Sequence, residues 1–344
     1  MTASSHDAPG EGTSDPALDE PEGRSDPMLG DSECREIFVD AYDGASIFAQ
    51  IYEPSPATDP DPAAATILIL DGIGCSGWAF RRIIPALAQH HRVVLMHYRG
   101  HGRSPNPPRP WHLGISDCAD DAAAVIDQIC SDKIHSSKVI SNKVHSNKVI
   151  VIGFSMGFQV ALELYRRHRS KVAALISLAG PAGRVLSTFQ GTGVFAQGLP
   201  LLRAAMRHAH DLTERVWRKV LPSQWVLDVG LATQINAGRI DAEDFTFYLN
   251  QMAAMNPELF FELLQHAARH CADDLLPRVD IPTMVMAGAK DTFVPLPTMR
   301  RVAFAIPQAQ WIVLDEASHA LPAEFPEEVT RRVLAFVDDL PAPG

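Results

Sequence analysis

Six short runs of this chain are apolar with scarcely an interruption: ATILIL at 65–70, RVVLMH at 92–97, VIVIG at 149–153, VAALISL at 172–178, TMVMAG at 283–288 and QWIVL at 310–314. A strand with one wet face alternates apolar and polar residues, whereas a strand covered on both faces reads as a continuous β-branched run. Between these runs lie segments of helical apolar spacing, at 78–90, near 116–130, from 154 to about His168, at 296–305 and at 323–339. Runs alternating with helices predict an α/β chain, built on a mostly parallel sheet with helices on both faces. Ahead of the first run, REIFVDAYDGASIFAQIYEP alternates on both sides of Asp43-Gly44, a hairpin signal that adds antiparallel strands at one edge.

The alternation fails over 183–275. That stretch is almost wholly helical in pattern, with Phe195, Leu199, Leu202, Met206, Trp217, Trp225, Phe247, Met252, Phe260 and Leu264 among its apolar positions. It is expected to be a helical cap inserted between two parts of the core, 34–182 and 276–344. Residues 1–33 hold nine acids against Arg24, a net of −8 out of −11 for the whole chain, so the remainder carries only −3. Rich in Pro, Gly and Ser and lacking aromatic residues, this leader is expected to be a disordered acidic tail. It has neither the basic start nor the apolar segment of a signal peptide. Residues 132–146 begin a five-residue repeat, DKIHS, SKVIS, NKVHS, NKVIV, whose period matches neither helix nor strand. It is expected to be a surface expansion.

The run at 149–153 leads through GFSMG into a helix, the G-x-S-x-G pattern in the strand–turn–helix setting that gives it meaning. Such a turn lifts Ser155 clear of the sheet, and side chains at 153 or 157 would strike the flanking strand and helix, which accounts for Gly153 and Gly157. A serine at its free pKa is a poor nucleophile and needs a base with an orienting acid. Sites of parallel sheets lie at the carboxyl ends of strands. TMVMAG ends in AKDTFVP, presenting Asp291, and QWIVL ends in DEASHALP, presenting His319. Asp315 is too near His319 in sequence to reach its Nδ1, and AGPAG after the 172–178 run offers no acid.

DGIGCSGW at 71–78 also fits G-x-G-x-x-G, a dinucleotide turn. It follows the third strand rather than the first, however, and about 20 residues on the chain reads MHYRG, without the ribose-binding acid. With YRGHGRS, GFSMG, GAKDTFVP and ASHALP it makes residues 35–340 resemble the α/β-hydrolase superfamily, in the branch of capped esterases, lactonases and C–C hydrolases. The resemblance implies an oxyanion hole from the backbone N–H groups of Ile73 and Met156. That family most often has His where Asp71 stands; Asp71 is expected to turn away from the site and bond loop amides. His101, between Gly100 and Gly102, reads as part of a structural turn. A serine nucleophile, not aspartate, argues against dehalogenase and epoxide hydrolase chemistry.

The expected function is therefore cofactor-free hydrolysis of a carboxylic ester, thioester or lactone through an acyl-enzyme. Ser155 is the nucleophile, His319 the base, Asp291 the acid, and the substrate is a small molecule with an apolar acyl group. The alternatives are a cofactor-free perhydrolase or haloperoxidase-like enzyme, and a ligand-binding protein on the same fold. No metal-ligand spacing is present, nothing is basic enough for nucleic acid, and no run reaches the ~18 residues needed to span a bilayer. Five cysteines, at 34, 75, 118, 130 and 271, show no C-x-x-C spacing, which fits a reducing, cytoplasmic setting.

Overall fold

The structure, a computed structural model, describes residues 34–54, 64–135, 148–183, 209–223, 226, 238–240 and 242–341. Its frame is an eight-stranded sheet of β1 (Cys34–Asp40), β2 (Ser46–Tyr52), β3 (Thr66–Leu70), β4 (Arg92–Met96), β5 (Val149–Phe154), β6 (Val172–Leu178), β7 (Thr283–Gly288) and β8 (Gln310–Leu314). Their spatial order is β1-β2-β4-β3-β5-β6-β7-β8. β1 with β2 and β2 with β4 are antiparallel, and the other neighbours are parallel.

The continuous apolar runs are explained by burial on both faces. Every residue of β3, β5 and β7 is buried. Leu68, Leu70, Val94, Val149 and Val151 join one core, while Ile67, Ile69, Val93, Ile150 and Ile152 join the other. Successive side chains therefore feed opposite cores, as the period of two demands. The first core is closed by α2 (Ile115–His135) and α3 (Met156–Arg167), through Cys118, Ala122, Phe158 and Leu162. The second is closed by α1 (Ile84–Leu87) and, near the chain's end, by a helix through Val329 and Val333. Each fully buried aliphatic side chain contributes about 1.5–3 kcal/mol, so an acid in place of Ile69 would remove the sheet's centre.

Two expected helices are broken where proline dictates. The stretch 78–90 forms a 3-10 turn at Trp78–Phe80 and then α1, with Pro85 in its first turn, because proline has no N–H to continue a preceding helix. Likewise 323–339 divides into Leu321–Glu324 and Pro326–Asp338, with Phe325 at φ −134° and ψ 51° between them. Clash with the proline ring drives the residue before it out of the helical region. Helix α2 runs further than expected, to His135, and takes in 132–135 of the first lysine-rich copy; 136–147, like the leader, lies outside the described residues.

In the 183–275 segment the described helices are α4 (His210–Val220), α5 (Ala242–Ala254) and α6 (Pro257–Arg269). Helix α6 buries Leu259, Leu263 and Ala267, one i, i+4 stripe, in the first core. Asn256 caps it by accepting from the Leu259 N–H at 3.2 Å. Phe195, Leu199, Leu202, Met206 and Trp225 lie outside the described residues. The two ends of the segment meet, since Gly183 and Cys271 form an isolated antiparallel bridge and Ala272 N–H donates to Ala182 O at 2.9 Å.

Strand β3 lies between β4 and β5, so the chain leaves it toward one side of the sheet and later returns on the other. The loops after β3 and β5 thus part at neighbouring carboxyl ends, where open α/β sheets form their crevice.

Candidate active site

At the end of β5 the chain turns sharply through Ser155, whose φ of 52° and ψ of −120° are rare for a residue with a side chain. Such a conformation costs about 1–3 kcal/mol and persists only where its surroundings enforce it. Here Ser155 N–H donates to Leu178 O at 3.0 Å and Phe158 N–H to Ser155 O at 3.1 Å. Glycine on either side is a steric necessity. A Cβ on Gly153 would lie 2.6 Å from Phe158 N, and one on Gly157 would be driven into Leu70 O, 2.6 Å from Leu70 C and 2.8 Å from Asp71 O.

The loops after β7 and β8 bring two further side chains to Ser155. His319 Nε2 is 2.9 Å from Ser155 Oγ, and His319 Nδ1 is 2.8 Å from Asp291 Oδ2. A carboxylate only accepts, so the Nδ1 proton lies toward Asp291 and Nε2 is left to accept from the serine hydroxyl. Asp291 Oδ1 accepts from Phe293 N–H and Val294 N–H, each at 2.8 Å. Those bonds fix the carboxylate's orientation, and its side chain is 1% exposed. The two loops are tied together by Lys290 N–H donating to Ala317 O at 2.9 Å. Asp315 is exposed to solvent.

One contributor escaped the sequence reading. Glu324, 4% exposed, accepts from Ser318 N–H at 2.7 Å and from the Ser318 hydroxyl, and so steadies the residue next to His319. The available signal was an acid in the LPAE turn directly after the histidine loop.

The loop after β3 is held from inside. Asp71 Oδ1 accepts from Gly72 N–H and Oδ2 from Gly77 N–H, both at 2.7 Å. Gly74 N–H donates to His101 Nε2 at 3.1 Å, while His101 Nδ1 lies 3.0 Å from Arg99 O. Cys75 N–H donates to Gly72 O at 3.2 Å. With those four amides engaged, the loop has little left to cradle a pyrophosphate. Among the described residues, the N–H groups of Ile73 and of Met156, the first residue of α3, find no acceptor. Burial pushes His101 down to about 4, so it is a neutral structural clamp, and pushes Asp71 up to about 7 against the pull of its two backbone bonds.

The surroundings are apolar and aromatic. The rings of Phe154 and Phe293 lie 5.4 and 5.1 Å from the His319 ring. A Cβ on Gly74 would sit 3.1 Å from Met252 Cγ and 3.3 Å from Phe260 Cε2, so helices α5 and α6 rest directly on this loop. Trp217 of α4 fixes that contact. Its Nε1–H donates to Met252 O at 2.8 Å, and its ring lies 5.3 Å from that of Phe260. Among the described residues there is no cluster of three or more His, Cys, Asp or Glu able to hold a metal ion, and no helix long and apolar enough to cross a membrane.

A parallel sheet with a strained serine turn at the switch point, a histidine and an acid on later strand ends, is the architecture of the alpha/beta hydrolases. The chain belongs to that family, whose model matches residues 67–332. Among curated proteins it is 24% identical over 285 residues to "Putative carbamate hydrolase RutD" of Caulobacter sp. strain K31, covering 82% of this chain and 92% of that one. It is 26% identical over 292 residues to 2-hydroxy-6-oxononadienedioate/2-hydroxy-6-oxononatrienedioate hydrolase 2 of Pseudomonas putida, covering 81% and 90%. Among solved structures, a thermophilic esterase from Thermogutta terrifontis superposes with a TM-score of 0.65 at 21% identity, covering 90% of this chain and 99% of that chain. Membership of that family, with hydrolases among its named relatives, makes the protein a hydrolase.

Proposed function

We propose that the protein is a cofactor-free serine hydrolase of a carboxylic ester, thioester or lactone with an apolar acyl group. The observation that carries this reading is the unbroken relay from Ser155 Oγ to His319 Nε2 and from His319 Nδ1 to Asp291 Oδ2. Ser155 Oγ attacks the carbonyl carbon as His319 Nε2 takes its proton. The oxyanion so formed accepts from Ile73 N–H and Met156 N–H, donors worth about 3 kcal/mol each when preorganised. The intermediate collapses as His319 returns the proton to the departing alcohol or thiol. Water, deprotonated by the same nitrogen, then releases the acid. Asp291 remains ionised and offsets the charge of the transient imidazolium.

The relatives' names, "Putative carbamate hydrolase RutD" and a 2-hydroxy-6-oxononadienedioate/2-hydroxy-6-oxononatrienedioate hydrolase, both give hydrolysis of a carbonyl compound. An apolar acyl group is favoured here because Phe154 and Phe293 lie against His319, and Met252 and Phe260 lie against Gly74 of the β3 loop. Helices α4, α5 and α6 serve in this reading as the part of the cap that lies over the acyl chain.

p-Nitrophenyl butyrate tests the proposal. Wild type should release a burst of one nitrophenolate per enzyme followed by steady turnover, and Ser155→Ala should do neither. Turnover by Ser155→Ala at a tenth of the wild-type rate or more would overturn it. Assaying acetate with hydrogen peroxide separates hydrolase from perhydrolase.

A further inference from the structure

We propose that Asp71 is a positioning residue for the reaction: its buried carboxylate, bridging the N–H groups of Gly72 and Gly77, holds the intervening Ile73 N–H toward the substrate's carbonyl oxygen. The inference rests on the serine-hydrolase reading, and adds to it the part that keeps one oxyanion donor in place.

The geometry is specific to a carboxylate. Both oxygens accept, each from a backbone N–H at 2.7 Å, and the two donors are five residues apart on the same loop. An amide side chain could satisfy one of them and would turn its own N–H₂ toward the other. Asp71 is 1% exposed and forms no ion pair among the described residues. Burying an unpaired carboxylate is unfavourable, so the loop keeps it against a cost. Leucine or valine in its place would bury as well and bridge nothing. The bridge spans Ile73, whose own N–H has no acceptor among the described residues. His101 pins Gly74 on the other side. Strand β3 delivers Asp71 next to β5, and the carbonyl of Asp71 lies against Gly157 of the serine turn. A shift of this residue therefore moves the loop relative to Ser155.

The carboxylate is also poised to lose its second acceptor in mild acid. The titratable groups around it are Cys75 on the same loop, Tyr98 beyond β4 and Tyr248 on α5, all pushed up by burial, and His101, held neutral. None of them supplies a compensating charge at neutral pH. Protonation below about 7 puts a hydroxyl hydrogen opposite one of the two amides.

A hexyl trifluoromethyl ketone reads the oxyanion hole directly, because it adds Ser155 to form a tetrahedral oxyanion. Against Asp71→Asn at pH 8, the ketone should bind about 30-fold more weakly and kcat should fall by a similar factor, less than the 10²–10³ of a donor removed outright. KM and the affinity of the corresponding alcohol, which forms no oxyanion, should stay within about threefold. In wild type, ketone affinity should fall in mild acid with one proton more than in Asp71→Asn, the proton taken up by Asp71. Unchanged ketone affinity in Asp71→Asn, or equal weakening of ketone and alcohol, overturns the proposal. If the variant does not fold, the wild-type profile decides, and ketone affinity unchanged between pH 8 and pH 6 overturns it. A wild type that forms no adduct overturns the hydrolase reading itself, and this proposal with it.

Discussion

Replacing Gly157 by alanine adds one methyl group where the structure has no room for it. The new Cβ would stand 2.6 Å from Leu70 C, with Leu70 O nearer still, whereas ordinary contact begins at 3.4 Å. The start of α3 must therefore retreat from β3 by at least 0.8 Å (3.4 − 2.6). That displacement separates Ser155 and Met156, on α3's side, from Ile73, on β3's side. Misplacement by about 1 Å costs roughly 100-fold in rate when reacting groups must stay aligned. Overpacking of this kind costs about 1–3 kcal/mol, a fall in Tm of roughly 2–6 °C at about 2 °C per kcal/mol in a large domain. Gly44→Ala is the control. Gly44 has φ of +80° in the β1–β2 hairpin, and its Cβ would meet only Pro108 Cγ at 4.0 Å. Its left-handed strain costs roughly 1–2 kcal/mol, similar in stability but remote from the site. Steady-state hydrolysis of p-nitrophenyl butyrate, beside thermal melts, should show kcat down about 100-fold for Gly157→Ala and unchanged for Gly44→Ala. A Gly157→Ala enzyme within threefold of wild type in kcat would refute the steric reasoning.

Asp291→Asn should lower kcat by a factor on the order of 10⁴ by leaving the imidazole in the wrong tautomer, while Asp315→Asn stays within about twofold; the reverse pattern would reassign the acid. Glu324→Gln removes the charge from the bonds to Ser318 and should reduce kcat about tenfold with a lower Tm, and a variant that keeps wild-type kcat would show that the histidine loop holds itself. Across p-nitrophenyl esters, each buried methylene adds about 0.8 kcal/mol, so butyrate should exceed acetate roughly 15-fold in kcat/KM; equal rates would contradict an apolar acyl site.

The sheet was legible because burial on both faces leaves a mark in local sequence. Apart from Thr66, TILIL and VIVIGF have no polar residue to offer water, and in the structure their large apolar side chains divide between the two cores. The serine turn was legible for a related reason, since Gly153 and Gly157 record a steric exclusion. The order of Ser155, Asp291 and His319 followed from the strand ends that carry them. What stayed hidden depends on long-range neighbours. The LPAE turn shows an acid after the histidine loop but not that Glu324 reaches back to Ser318. Nothing near HGRS shows that His101 accepts from Gly74, 27 residues earlier in the chain. The helix breaks at Pro85 and Pro326 were local and readable, but apolar spacing across them masked the interruption. The seating of α5 and α6 on the β3 loop depends on which side chains meet Gly74, a matter of packing that periodicity does not encode.

Covalent labelling by a fluorophosphonate, read by intact-protein mass and peptide mapping, tests most directly that Ser155 is a nucleophile activated by His319. Wild type should gain a single adduct, mapped to Ser155. His319→Ala should label at least 100-fold more slowly, consistent with the 10²–10⁴ that a positioned base supplies, and Ser155→Ala should not label. An adduct on another residue, or labelling of His319→Ala at the wild-type rate, would contradict the mechanism.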